Sequence, residues 1–157
     1  MFNKQLKAQL LSAQTDLAYK TAVIAAVRNS VALVEFSADG VIQDANPLFL
    51  SAVGYSLEQI KGQHHSMFCE PEYVRSEAYR EFWKALASGK FVAEEFKRIG
   101  KGGKVVWIQA SYNPIFDANG RVSAFATSGG GAAWRVSTTP EGGKDHKGFG
   151  GGLAADN

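Results

Sequence analysis

A single cysteine in 157 residues excludes an intramolecular disulfide. No run of about 18 apolar residues is present, and no basic start leads into an apolar core, so neither a membrane-spanning helix nor a secretory leader is expected. Neither sign of charge dominates: 17 basic and 15 acidic side chains spread along the chain give a net charge of +2, too little to steer a polyanion. Nucleic acid is therefore not an expected partner, and a reducing cytoplasm is the expected compartment. What is present is the composition of a globular protein, 45% hydrophobic and 20% charged. Its 10 Phe, 5 Tyr and 3 Trp can fill an aromatic core in one domain of roughly 100–150 residues.

Residues 1–28 contain neither Pro nor Gly, and Leu6, Leu10, Ala13, Leu17, Ile24 and Val27 form a heptad stripe interrupted at Lys20. This predicts an amphipathic N-terminal helix, either packed on its own domain or pairing two copies as a short coiled coil. The period changes at Asn29. VALVEF, the turn SADG (37–40) and VIQDA predict a hairpin. Asn46 followed by Pro47 then marks a helix start, with Gly54 as its stop, and Ser56 caps a further turn. EYVRSEAYREFWKALASG (72–89) places Tyr79, Phe82, Trp83 and Leu86 three and four apart and predicts one helix. The runs FVAEEFKRI, KVVWIQASYNPIF and RVSAFATS predict a three-stranded meander. Nine of the 17 glycines fall after Ser128, so 129–157 is expected to be a Gly-rich disordered tail. The expected class is α+β, a five-stranded antiparallel sheet with helices on one face, occupying 29–128.

The segment GQHHSMFCEPEY (62–73) holds two of the three histidines and the cysteine. On a helix His65 and Cys69 would share a face, but zinc takes four ligands, or three and a water, and His64, Glu70 and Glu72 do not complete such a set. Nucleophilic chemistry needs a thiolate beside an oriented base; His65 could serve Cys69, but no oxyanion-hole element such as a Gly-rich nucleophile elbow surrounds it. GKGG (100–103) lies between extended runs instead of opening a helix, so it reads as a turn and not a phosphate cradle. No metal site and no catalysis are expected. Phe49, Trp83, Phe96, Trp107 and Tyr112 read as core or as a cofactor cage. Gln109, Ser111 and Asn113 alternate on one strand face and would read a ligand's edge if that face looks inward.

ADGVIQDANPLFLSAVGYSLEQIKGQ (38–63) and VWIQASYNPIFDANGRV (106–122) resemble the opening and the last hairpin of a PAS domain, most of all those of bacterial chemotaxis and aerotaxis transducers. The resemblance implies a PAS fold and a sensory module reporting to a methyl-accepting signalling domain and a histidine kinase pathway. A homodimer joined by the N-terminal helix is the partner that the heptad stripe of residues 1–28 points to. In light-sensing relatives a reactive cysteine stands three residues after a glycine; here that position is His65, and Cys69 comes four residues later. Flavin-binding aerotaxis sensors share a GQxHxM pattern, matched by Gly62, Gln63, His65 and Met67. Their following charged residues fall on Cys69, Glu70 and Glu72, and their pocket tryptophan falls on Val92. FAD and haem both remain open, with His64 or His65 as the axial candidate for haem. The candidate cofactor-contacting set is His65, His64, Trp83, Trp107, Gln109, Asn113 and Asn46.

Overall fold

The computed structural model describes residues 2–137, with side chains through residue 129. Strands β1 (Val31–Ser37), β2 (Ile42–Ala45), β3 (Val92–Ile99), β4 (Val105–Phe116) and β5 (Val122–Ser137) form one sheet in the order β2-β1-β5-β4-β3, every pair antiparallel. The strands alternate as half-buried strands must. Ala32, Val34 and Phe36 of β1, Phe96 of β3, Val106, Ile108, Ala110 and Tyr112 of β4, and Phe125 of β5 are buried together. Helices cover that face: α2 (Pro47–Val53), α3 (Leu57–Ile60), α4 (Pro71–Val74) and α5 (Glu77–Ala87), with a 3-10 turn at His65–Phe68. From them Phe49, Val53, Ile60, Phe68, Tyr79, Phe82 and Leu86 complete the core. The expected five-stranded α+β architecture is the one present.

Three sequence expectations need correction. The helix read across 72–89 is broken: Ser76 is extended (φ −77, ψ 158) and its Oγ caps α5 at the Tyr79 amide, so α4 and α5 are separate. The strand read as ending at Ser128 runs on to Ser137, nine residues into the expected tail. Pairing accounts for this. Gly129 and Gly130 lie opposite Ala32 and Val31, and 134–137 lie opposite 105–108, after a register shift that absorbs the intervening glycines and alanines. Residues 138–157 lie outside the described residues. Finally, α1 (Phe2–Ser30) buries none of its residues, and the stripe residues Leu6, Leu10, Leu17, Ile24 and Val27 are each at least half exposed. It is not packed on its own domain.

What holds α1 is its C-terminal end. The Arg28 guanidinium bridges Glu35 of β1 at 3.3 Å and Asp44 of β2 at 3.0 Å. The buried Asn46 carboxamide donates to the carbonyls of Arg28 (2.6 Å) and Val31 (2.7 Å), and its oxygen accepts from the amides of Leu33 and Phe49. One side chain therefore ties the end of α1, the start of β1 and the N-terminus of α2.

Candidate functional site

The hairpin places the two histidines. His65 N–H donates to the Gly40 carbonyl and Ile42 N–H to Gln63, so residues 62–65 run alongside the hairpin, with Val41 bridged to His64. In extended chain, neighbours point to opposite sides. His64 is exposed and caps the 3-10 turn by accepting from the Ser66 amide, whereas His65 is 1% exposed and enters the core. Close approach fixes the turn: Gly40 has φ +79, and a Cβ there would lie 2.7 Å from His64 Nε2.

Inside, His65 Nδ1 lies 3.0 Å from the Tyr79 hydroxyl of α5 and Nε2 lies 3.1 Å from the Tyr112 hydroxyl of β4. Arg98 of β3 donates through Nε and one terminal nitrogen to the same Tyr112 oxygen, at 3.2 and 3.1 Å. A guanidinium only donates, so the Tyr112 O–H must point elsewhere, and His65 Nε2 is the acceptor in reach. This inventory assigns the imidazole proton to Nδ1, directed at Tyr79. The ring also meets Phe36 and Trp83 edge-on, each at 5.2 Å between centroids.

Burial above all, then the positive charges of Arg98 and His64, hold the His65 pKa well below its ordinary value. Burial pushes the Cys69 thiol up, so the sulfur 3.7 Å from His65 Nδ1 is no thiolate. Burial also pushes Tyr112 up, and it pushes Tyr79 up to about 12, partly offset by the Trp83 indole. Of the groups facing His65, Arg98 therefore brings a fixed positive charge, while the tyrosine hydroxyls and the Cys69 thiol stay neutral.

The unfolded chain takes up a proton at an ordinary imidazole that the folded chain refuses. Stability is then fully present above the unfolded pKa and is lost as pH falls through it, toward the lowered folded value. Between about pH 7 and 5 the wild type should lose about 2 kcal/mol more than His65→Gln. Urea midpoints across that range measure it, and parallel curves for the two proteins would mean that His65 charges inside the fold.

The structure brings together His65 and Trp83, with His64 on the outer side of the Trp83 ring at 6.0 Å. It does not bring the others to them. Trp107, Gln109 and Asn113 alternate out of phase with the buried Val106, Ile108, Ala110 and Tyr112, so they lie on the face of β4 turned away from the helices. Asn113 spends its amide on the Ser111 and Ala126 carbonyls. Asn46 spends its carboxamide on four backbone groups. The residues that sequence reasoning missed are Arg98 and the bonding role of Tyr79 and Tyr112. A usable signal existed for Arg98, since it falls in phase with Phe96 on the inward face of β3.

The cavity beside His65 is about 10 Å³, lined among others by Phe36, Arg98, Tyr112 and Thr127, whose buried hydroxyl has no partner among the described residues. Ligands of drug size need roughly 300 Å³ or more, whereas this space holds about one water. Both ring nitrogens of His65 already face tyrosine hydroxyls, leaving none directed at an iron. The residues around His65 therefore fit neither FAD nor haem.

A family model described as the PAS fold matches residues 42–127. The chain is 38% identical over 97 residues to the biofilm dispersion protein BdlA of Pseudomonas aeruginosa, covering 62% of this chain and 23% of that protein. It is 29% identical over 84 residues to the aerotaxis receptor of Escherichia coli, covering 54% of this chain and 16% of the receptor. The chain thus spans less than a quarter of the length of either relative. Among solved structures, the PAS domain of a protein from Colwellia psychrerythraea superposes with TM-score 0.62 at 23% identity, covering 74% of this chain and 97% of that one. An RNA-binding light-oxygen-voltage receptor superposes with TM-score 0.62 at 21% identity, over 76% of this chain and 34% of the other, and these two show the fold alone. With more than half of its length inside the family match, and with the sheet order and helical cover described above, the chain belongs to the PAS family.

Proposed function

We propose that this chain is the sensory input domain of a chemotaxis-type transducer, and that it relays the state of its core to a signalling domain through α1, which pairs two copies of the chain. The observation that carries this reading is the exposed stripe of α1 combined with the tie of its last turn to the sheet by Arg28 and Asn46. Isolated helices are marginal in water, and a heptad stripe left uncovered by its own domain calls for a partner helix. Similarity to an aerotaxis receptor supports the transducer assignment, with a methyl-accepting signalling domain and a histidine kinase pathway as the partners. No helix among the described residues is long and apolar enough to cross a membrane, and the proposed compartment is the cytoplasm.

The stimulus in this reading is a small ligand and not a large redox cofactor, because the space at His65 fits neither FAD nor haem. A ligand shifts such a domain only by its differential affinity for two states. No catalysis is proposed. A second reading, a cofactor-free module that only dimerises, draws on the same filled core and the same exposed helix.

The test of pairing uses Leu10→Glu combined with Leu17→Glu in the full chain, both on the exposed stripe. Sedimentation at micromolar concentration is expected to give a dimer for the wild type and a monomer for the variant, with unchanged unfolding of the PAS core. A monomeric wild type removes the pairing from both readings. The two separate on ligand response: a small molecule that alters α1 exchange in the dimer supports the sensor, and its absence across a broad panel leaves the dimerisation module.

A further inference from the structure

We propose that the groove along the β3 edge is a binding site for a small zwitterion, a molecule carrying one carboxylate and one ammonium group as a free amino acid does. The groove measures about 270 Å³ and lies between α4 and β3, lined by Glu70, Tyr73, Glu94, Phe96, Lys97 and Arg98 among others. That is somewhat below the size of a drug-sized pocket and suits a ligand of several heavy atoms.

Arg98 is the reason to expect a carboxylate. It is 4% exposed, yet no ion pair among the described residues includes it. Its hydrogen-bond acceptors are the Tyr112 hydroxyl and the Lys97 carbonyl, both neutral, and they occupy three of the five guanidinium N–H groups. The rings of Phe96, Tyr112 and Tyr73 lie around it at 4.6, 5.7 and 6.0 Å. Aromatic faces soften the burial of a cation without neutralising it, and a buried charge ordinarily has a counterion. One N–H on each terminal nitrogen is left over, and charge-assisted bonds to a carboxylate are the strong use for such donors.

Glu94 is the reason to expect an ammonium. It shares the inward side of β3 with Phe96 and Arg98, is exposed, and makes no ion pair among the described residues. Glu70, by contrast, is neutralised by Lys97. A simple anion would meet Arg98 and be repelled by Glu94, and a simple cation would meet the reverse. A molecule with both charges satisfies both ends.

This site adds a stimulus to the sensory reading and a route for it. Arg98 lines the inner cavity as well as the groove, and its bonds run through Tyr112 to His65. A carboxylate on the remaining N–H groups draws on the same guanidinium whose other donors hold Tyr112, so occupancy outside is felt by the histidine inside.

Calorimetric titration of the whole chain with glycine, β-alanine and γ-aminobutyrate tests the site, with acetate and methylammonium as single-charge probes. At least one amino acid is expected to saturate the protein and to bind at least tenfold more tightly than either single-charge probe. Glu94→Gln, at an exposed position, and Arg98→Lys, which keeps the charge but loses the guanidinium, are each expected to weaken it about tenfold. Absence of saturable binding by all three amino acids overturns the proposal, and so does equal binding of acetate or binding indifferent to Glu94→Gln. Dimerisation through α1 is measured on the same protein by sedimentation, so a failure to bind is distinguishable from a failure of the pairing.

Discussion

His65→Ala is expected to lower the unfolding free energy by about 4 kcal/mol, the effect of truncating a buried aromatic ring compounded by the loss of hydrogen bonds. The ring sits against Phe36, Trp83 and Tyr112 at 5.2 to 5.6 Å between centroids, on a frame of sheet and α5 that cannot close over the space it leaves. Two hydroxyls lose a partner as well. Tyr112 keeps Arg98, but Tyr79 is left buried without the imidazole that its hydroxyl meets at 3.0 Å. Tyr79→Phe removes the same bond while keeping the ring, so it should cost only about 1 kcal/mol. Urea unfolding with unchanged m-values separates the two. A loss below about 1 kcal/mol for His65→Ala would show that the imidazole is not a core element. In a domain of ordinary stability, about 5–15 kcal/mol, the expected loss is a large share of what holds the fold.

The fold was legible because its signals are local. Alternation in VALVEF and VWIQASY, the Asn46–Pro47 start of α2 and the glycine turns each state a backbone requirement within a few residues, and the structure meets them. Two boundaries were not legible. Ser76 inside an otherwise helical pattern reads as a tolerated polar residue until its backbone is seen to be extended and its hydroxyl to cap Tyr79. The glycines after Ser128 carry no apolar period, and only the long-range pairing with β1 and β4 makes them strand.

The site was legible in part, for a physical reason of its own. Two adjacent histidines announce that one points in and one out, but not which, since that depends on the register of 62–65 against the hairpin. The same one-residue ambiguity decided Gln109 and Asn113: alternation showed that they share a face, and their neighbours Val106, Ile108 and Tyr112 took the inner one. Arg98 was hidden by its chemistry. A charged residue in a strand ordinarily faces solvent, and only its phase with Phe96 argues otherwise.

Asn46→Ala is expected to cost about 3 kcal/mol, because the carboxamide is buried and its removal strands two carbonyls and two amides at once. A helix cap alone accounts for about 1 kcal/mol of that, through the Phe49 amide. The rest belongs to the junction of α1 with β1. Arg28 ties the same junction, but its ion pairs to Glu35 and Asp44 are partly exposed, so Arg28→Ala should cost only about 0.5 kcal/mol. The contrast bears on relay as well as stability. If the last turn of α1 is held by the buried carboxamide, Asn46→Ala should speed amide exchange in 24–33 under native conditions, while Arg28→Ala leaves it near the wild-type rate. Equal effects of the two substitutions would place the coupling in the exposed charges instead. A signal passing from the core to α1 would then be weakened by salt, whereas one carried by Asn46 would not.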